Sequence, residues 1–281
     1  MDASLEGPDE LKRLQRPGLE LWVRAADEDW LRDAGIEEVE RPEQLQGARV
    51  LSRRGRGASI LVEGAGRTLI AKTLRHGGGL GSVLGECFLG ASRLHGVRRI
   101  IDALRARAVS TPAVGFLRVH RRLGRCRLEV ATEYLAGTRD LDSYLGSSPE
   151  PPGRRDVLCS TGKLLAGMHE AGVLHADLNL RNILVLADGS TSIIDLEGSH
   201  LGSGSRGPRE RVGNWARLYR SLCKREHWPA RTPEGLVRAD LEAALRCYDP
   251  EGWPLLSRRI EAAHRRSRWR HPWTWQTPAT D

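Results

Sequence analysis

His175-Ala176-Asp177-Leu178-Asn179-Leu180-Arg181-Asn182-Ile183-Leu184-Val185, followed after a turn by Ser192-Ile193-Ile194-Asp195, is the stretch whose reading decides the fold. The apolar runs Ile183–Val185 and Ser192–Ile194 predict two short strands, and Ala187-Asp188-Gly189 reads as the hairpin turn between them. Asp177 and Asn182 stand five residues apart on the loop ahead of the first strand, and Asp195 follows the second, thirteen residues after Asn182. A loop and a strand end spaced in this way can aim three oxygen-bearing side chains at one point. Just upstream, Val157, Leu158, Thr161, Leu164, Leu165 and Met168 recur at helical spacing and predict a helix over 154–170 that Gly172 stops. Val173-Leu174 reads as one more short strand.

Toward the N-terminus the texture is β. Ala48–Leu51, Ser59–Val62 and Arg67–Thr73 predict strands, with glycine turns at Arg53–Gly57 and Gly64–Gly66. His76–Gly81 reads as a mobile connection. Leu94, Val97, Ile101 and Leu104 mark the inner face of a helix, Thr111-Pro112 closes that region, and 113–135 reads as two strands around Gly124. Beyond the central stretch, helices are expected over Asn214–Lys224, Glu234–Cys247 and Leu255–Arg268. Residues 1–45 are charged and weakly periodic, and read as an extension with one or two short helices. The order predicts an α+β, bilobal fold. Its parts are an extension (1–45), a small antiparallel-sheet N-lobe (46–135) and a mainly helical C-lobe (136–281) with a basic Trp/Arg-rich tail from about 253, with a cleft between the lobes.

Composition narrows the class. A chain of 281 residues can bury a sizeable core, and 40% apolar with 28% charged residues suits a soluble globular protein. The net charge of +8 favours anionic partners. The five cysteines are odd in number and lack metal-ligand spacing, which argues against a disulfide framework or a zinc site and for a reducing compartment. Acidic residues Asp2, Glu6, Asp9 and Glu10 with no apolar run argue against a secretory signal, and no stretch reaches the ~18 apolar residues of a spanning helix. The expected location is cytoplasmic, resting on a membrane surface.

Phosphoryl transfer needs the groups that the central stretch provides. Charge spreads over the moving phosphoryl oxygens, so a magnesium ion must clamp the phosphates. A hard cation takes oxygen ligands such as Asn and Asp. One further carboxylate must accept the proton of the attacking hydroxyl.

On these residues the stretch resembles the catalytic loop and metal-binding strand of kinases. The resemblance implies that Asp177 is the base, Asn182 and Asp195 the metal ligands, and His175 a structural anchor, with ATP and Mg2+ as the nucleotide and metal. Leu69-Ile70-Ala71-Lys72 is similar to the third-strand lysine motif, which implies that Lys72 contacts the α- and β-phosphates. Gly55 and Gly57 stand where backbone N–H groups would cover phosphates. Glu133-Tyr134-Leu135 stands where a hinge offers backbone bonds to adenine.

Finer details resemble the lipopolysaccharide-core kinases, in particular those of 3-deoxy-D-manno-octulosonic acid (Kdo). They are His-Ala-Asp-Leu-Asn at 175–179, Asn-Ile-Leu at 182–184, Gly-Arg-Gly at 55–57, Leu-Arg-His-Gly-Gly around 74–78 and Asn-x-Ala-Arg-Leu-x-Arg-Ser-Leu-x-Lys at 214–224. The likeness covers roughly 48–225. It implies transfer of phosphate from ATP to a Kdo or heptose hydroxyl of the lipopolysaccharide inner core, at the cytoplasmic face of the inner membrane, with an anionic glycolipid as substrate.

Three features depart from ordinary protein kinases. The helix after Lys72 holds no glutamate, only Asp102, with Glu86 ahead of it. Asp195-Leu196-Glu197-Gly198 lacks the usual phenylalanine, and Glu197 reads as either a metal-assisting or a solvated carboxylate. No Ala-Pro-Glu motif follows, which disfavours a peptide acceptor. The tail carries Arg258, Arg259, Arg265, Arg266, Arg268 and Arg270 among Trp253, Trp269, Trp273 and Trp275. That pattern suits a membrane surface, equally a docked final helix with arginines outward, and less well a nucleic acid. A protein or aminoglycoside-like kinase and a non-catalytic nucleotide- or membrane-binding relative are the competing readings. Nothing in the sequence sets an oligomeric state.

Overall fold

Alternating apolar residues build a seven-stranded antiparallel sheet in the computed structural model, which describes residues 11–52, 58–76, 85–147, 153–226 and 236–270. Its strands are β1 (Leu11–Arg16), β2 (Leu19–Arg24), β3 (Ala48–Ser52), β4 (Ser59–Gly64), β5 (Arg67–Thr73), β6 (Val114–Arg122) and β7 (Arg125–Glu133), in the order β1-β2-β6-β7-β5-β4-β3. The strands expected from Ala48 to Thr73 and on either side of Gly124 are all present.

The segment 1–45 differs from the expectation of an extension with one or two short helices. From Leu11 on it supplies a strand pair that extends the sheet through β6, and then short helical turns with α1 (Glu28–Asp33). Leu21, Val23, Trp30, Leu31 and Ile36 from this segment join Ile60, Val62, Leu69, Phe116 and Ala131 in one buried cluster. β1 is an outer strand whose side chains are exposed or half-buried, and its cations break the alternation that marks a strand. The Pro17-Gly18 turn, with Gly18 at φ +76°, was the available signal.

Inside this unit sits a charged pair. Arg118 and Glu129 are fully buried and bonded at 2.6 Å, and Arg118 also donates to the carbonyls of Ile36 (2.8 Å) and Val39 (3.2 Å). The guanidinium thus fastens the N-terminal segment to the sheet. Removing either partner of such a pair typically costs about 3–5 kcal/mol.

The remaining elements are helical apart from a small three-stranded sheet and one short strand pair. They are α2 (Ser92–Arg105), α3 (Leu141–Gly146), α4 (Gly153–Glu170), α5 (Pro208–Glu226), α6 (Leu236–Tyr248) and α7 (Trp253–Arg270). The short strands are β8 (Arg139–Asp140), β9 (Val173–Leu174), β10 (Ile183–Val185), β11 (Thr191–Ile193) and β12 (His200–Leu201). Two compact units divide the chain. One holds residues up to Arg98 with Pro112–Leu135, and the other holds Arg99–Thr111 with everything from Ala136. The apolar stripe of α4 is buried as expected.

α4 and α6 approach at backbone distance. A Cβ on Gly162 would lie 2.0 Å from the Ala244 carbonyl oxygen, so only glycine fits there. The same two helices are joined by a disulfide between Cys159 and Cys247. This corrects the reading of the cysteines' odd number and spacing as an argument against disulfide bonding. Positions 88 residues apart carry no spacing signal, and only the packing of α4 on α6 brings them within a Cα separation of 5.2 Å. Cys126 and Cys223 are free and buried, and Cys87 is free and exposed.

Candidate active site

The central loop is organised by a histidine. His175 follows β9, is fully buried, and receives the backbone N–H of Asp177 on Nδ1 at 3.1 Å. A nitrogen that accepts an N–H bears no proton, so the proton is on Nε2, which donates to the Ile194 carbonyl at 2.9 Å. The ring is therefore neutral and ties the loop carrying Asp177 to the strand end carrying Asp195. Burial pushes its pKa below the ordinary histidine value, against the hydrogen bond to Ile194 and the nearby Asp195 and Asp177 charges.

Asp177 itself is exposed. Its Oδ2 accepts from Asn179 Nδ2 at 3.0 Å, and its carbonyl accepts from the same Nδ2 and from Asn182 Nδ2 (2.8 Å). Asn179 Oδ1 caps the short turn Leu180–Asn182 by accepting the Arg181 N–H at 2.9 Å. The Asn182 amide is fixed by the same logic. A carbonyl can only accept, so the atom facing Asp177 O is the nitrogen, and Oδ1 remains as an oxygen donor for a cation. Its backbone carbonyl takes the Ile194 N–H at 3.0 Å, so Asn182 also spans the loop and the hairpin β10–β11.

Asp195 adopts φ +61°, a left-handed conformation that Asp tolerates better than most residues. It turns the chain at the end of β11 and leaves the carboxylate exposed. Asp177, Asn182 and Asp195 are thus brought together on one hydrogen-bonded loop and hairpin. The oxygen set fits a hard divalent ion that keeps other positions for phosphate and water. Among the described residues no three His, Cys, Asp or Glu side chains cluster as a metal site.

The other expected site residues lie in the sheet unit. Lys72 is half-buried on β5, opposite Ser59 on one side and Val130 on the other. Glu86, the nearest glutamate ahead of α2, is ion-paired to Arg75 and Arg41. Glu133 ends β7, its N–H bonded to the Ala113 carbonyl, and Tyr134 N–H is bonded to Thr68 O at 2.9 Å. Leu135 closes that unit. Gly55 and Gly57 lie outside the described residues, as do most of the expected mobile connection at 76–81 and Trp273 and Trp275 of the tail.

A buried chain of polar groups behind the loop was not foreseen. Asn214 on α5 donates Nδ2–H to the His175 carbonyl (2.7 Å), while its Oδ1 accepts from the His175 N–H (3.3 Å) and from His169 Nε2 (3.1 Å). His169 Nδ1 is left to accept the Tyr248 hydroxyl at 2.8 Å. Burial lowers His169 to about 4, so it too is neutral. The one hint in sequence was a histidine on the buried face of an apolar helix. Asn214 stood in a segment noted for likeness, but its role needs α5 packed beneath the loop.

Taken together, the kinase-like fold and the constellation on its loop define a phosphotransferase that acts on a hydroxyl. A model of the lipopolysaccharide kinase (Kdo/WaaP) family matches residues 40–248. The chain belongs to that family. Its relatives include proteins named 3-deoxy-D-manno-octulosonic acid kinase. The one from Photobacterium damsela subsp. piscicida is 29% identical over 65% of this chain and 76% of its own. The one from Xanthomonas campestris pv. campestris (strain B100) is 32% identical over 72% and 79%. That of Stenotrophomonas maltophilia (strain R551-3) is 30% identical over 63% and 70%.

Proposed function

We propose that this chain transfers the γ-phosphoryl group of ATP to a sugar hydroxyl of the lipopolysaccharide inner core, with Kdo the first acceptor to test and heptose the second. The observation that carries the reading is the hydrogen-bonded loop and hairpin bearing Asp177, Asn182 and Asp195, with both amide orientations fixed by their partners. Asp177 takes the acceptor proton as the sugar oxygen bonds to phosphorus and ADP leaves. Asn179 holds one carboxylate oxygen, which orients the other toward the hydroxyl. Asn182 Oδ1 and the Asp195 carboxylate would hold Mg2+, which supplies charge neutralisation to the phosphates when bound. Lys72 is assigned to the α- and β-phosphates, the Gly55–Gly57 turn to their cover, and the backbone of Glu133 and Leu135 to adenine. The relatives' names favour Kdo. Among the described residues no helix is long and apolar enough to cross a membrane. The family resemblance favours the cytoplasmic face of the inner membrane for the reaction, and we assign the enzyme to that surface.

Purified enzyme with γ-labelled ATP should label Kdo-lipid A and leave a protein mixture unlabelled. Asp177→Ala should lower turnover roughly 10²–10⁴-fold, the range for loss of a positioned base. Equal turnover by the variant would remove Asp177 from the chemistry. Labelling of protein but not glycolipid would overturn the acceptor class.

A further inference from the structure

The turn between β6 and β7 is built against the needs of folding. Leu123 and Gly124 both have positive φ (+48° and +73°), as a two-residue hairpin turn requires. Asn, Asp or Gly suit the first position, whereas leucine is strained there and gains nothing by burial, being 93% exposed. A second leucine, Leu89, is equally exposed. Phe88 pairs antiparallel with Cys126, so the register carries Leu89 toward the same hairpin tip.

Cations surround this tip. Arg41, Arg121, Arg122, Arg125 and Arg127 line a cavity of about 700 Å3, with Glu40 and Glu86 as its carboxylates. Glu86 is already neutralised by Arg41 and Arg75. Arg121 and Arg127 have carboxylate partners in Glu20 and Glu129, whereas Arg122 and Arg125 have none among the described residues. His120 and Arg127 also line the cavity, while His120 Nε2 and Arg127 Nη2 themselves are buried away from solvent without a hydrogen-bond partner among the described residues. Burial and the Arg118 and Arg127 charges lower His120 to about 4, so its ring is neutral. The exposed guanidiniums of Arg122 and Arg125 on this arginine-lined cavity form a receptor for a phosphate group, and two exposed leucines beside it add an apolar contact.

We propose that this hairpin end of the sheet docks on an anionic phospholipid surface, with a lipid phosphate in the arginine-lined cavity and Leu123 and Leu89 in the acyl boundary. The inference rests on the membrane-borne acceptor proposed above for its purpose. Vesicle binding is measured without catalysis, so its failure would leave phosphoryl transfer untouched.

The test is cosedimentation of the full chain with vesicles of phosphatidylcholine mixed with phosphatidylglycerol, against phosphatidylcholine alone. Binding should require the anionic lipid and weaken as salt rises. Arg122→Glu with Arg125→Glu, both exposed, should weaken it more than about tenfold, since each arginine near such a surface contributes roughly fivefold. Leu123→Asn suits the backbone there, and should weaken binding while keeping or raising thermal stability. Labelling of a soluble Kdo acceptor should be unchanged in both variants. The proposal is overturned if the hairpin variants bind like the parent, or if Arg265→Glu with Arg266→Glu in α7 removes binding instead.

Discussion

Asn214 works with both ends of its amide at once, donating to one backbone atom of His175 and accepting from another, and it bonds His169 as well. Aspartate at this position would face an acceptor where a donor is needed. His169 in turn stays neutral only because it is buried, and this gives stability a pH dependence. Its folded value of about 4 lies below the ordinary 6.5, so the unfolded chain binds more protons between those values. Stability from this residue is complete above about pH 6.5 and is lost as pH falls toward 4, by up to ~3 kcal/mol at 1.36 kcal/mol per unit. The lowered His175 adds in the same direction. Melting temperature followed from pH 7.5 to 5 should therefore fall, and His169→Gln, which keeps a donor and an acceptor but cannot titrate there, should flatten the curve. An unchanged slope would remove His169 as its source.

At the scale of elements, α4 and α6 are held by a glycine contact, by the Arg154–Asp240 double hydrogen bond (2.8 and 2.6 Å) and by the Cys159–Cys247 bond. Closing a loop across 88 residues is worth about 4–5 kcal/mol on the chain-entropy model. Reduction, or Cys159→Ser with Cys247→Ser, should lower the thermal midpoint by several degrees, to the same value in both cases. If reductant has no effect, the bond contributes nothing in solution. This helix pair also marks how far the sequence could be read. The stripe from Val157 to Met168 declared α4, and the loop spacing from Asp177 to Asp195 declared the site, because both are local patterns. The disulfide, Asn214 and the His169–Tyr248 contact join positions 39 to 88 residues apart, and no local periodicity encodes them. β1 escaped for another reason. It is an outer strand with little to bury, so its hydrophobic pattern is weak.

For the whole molecule, the family match begins at residue 40, while the sheet's interior draws on residues well before it. Leu21, Val23, Trp30, Leu31 and Ile36 each fill space whose loss costs about 2–5 kcal/mol for a large side chain. Native stability is only about 5–15 kcal/mol. A chain shortened to start at residue 40 should give no cooperative melting transition and should collect in the insoluble fraction. A folded, soluble product would refute the count.

The Arg118 bonds to Ile36 and Val39 sharpen the point. Trimming the gene at the edge of recognisable kinship would sever two of the oxygens that make an interior cation tolerable. In this protein, the ancestry visible in sequence starts later than the body that must fold.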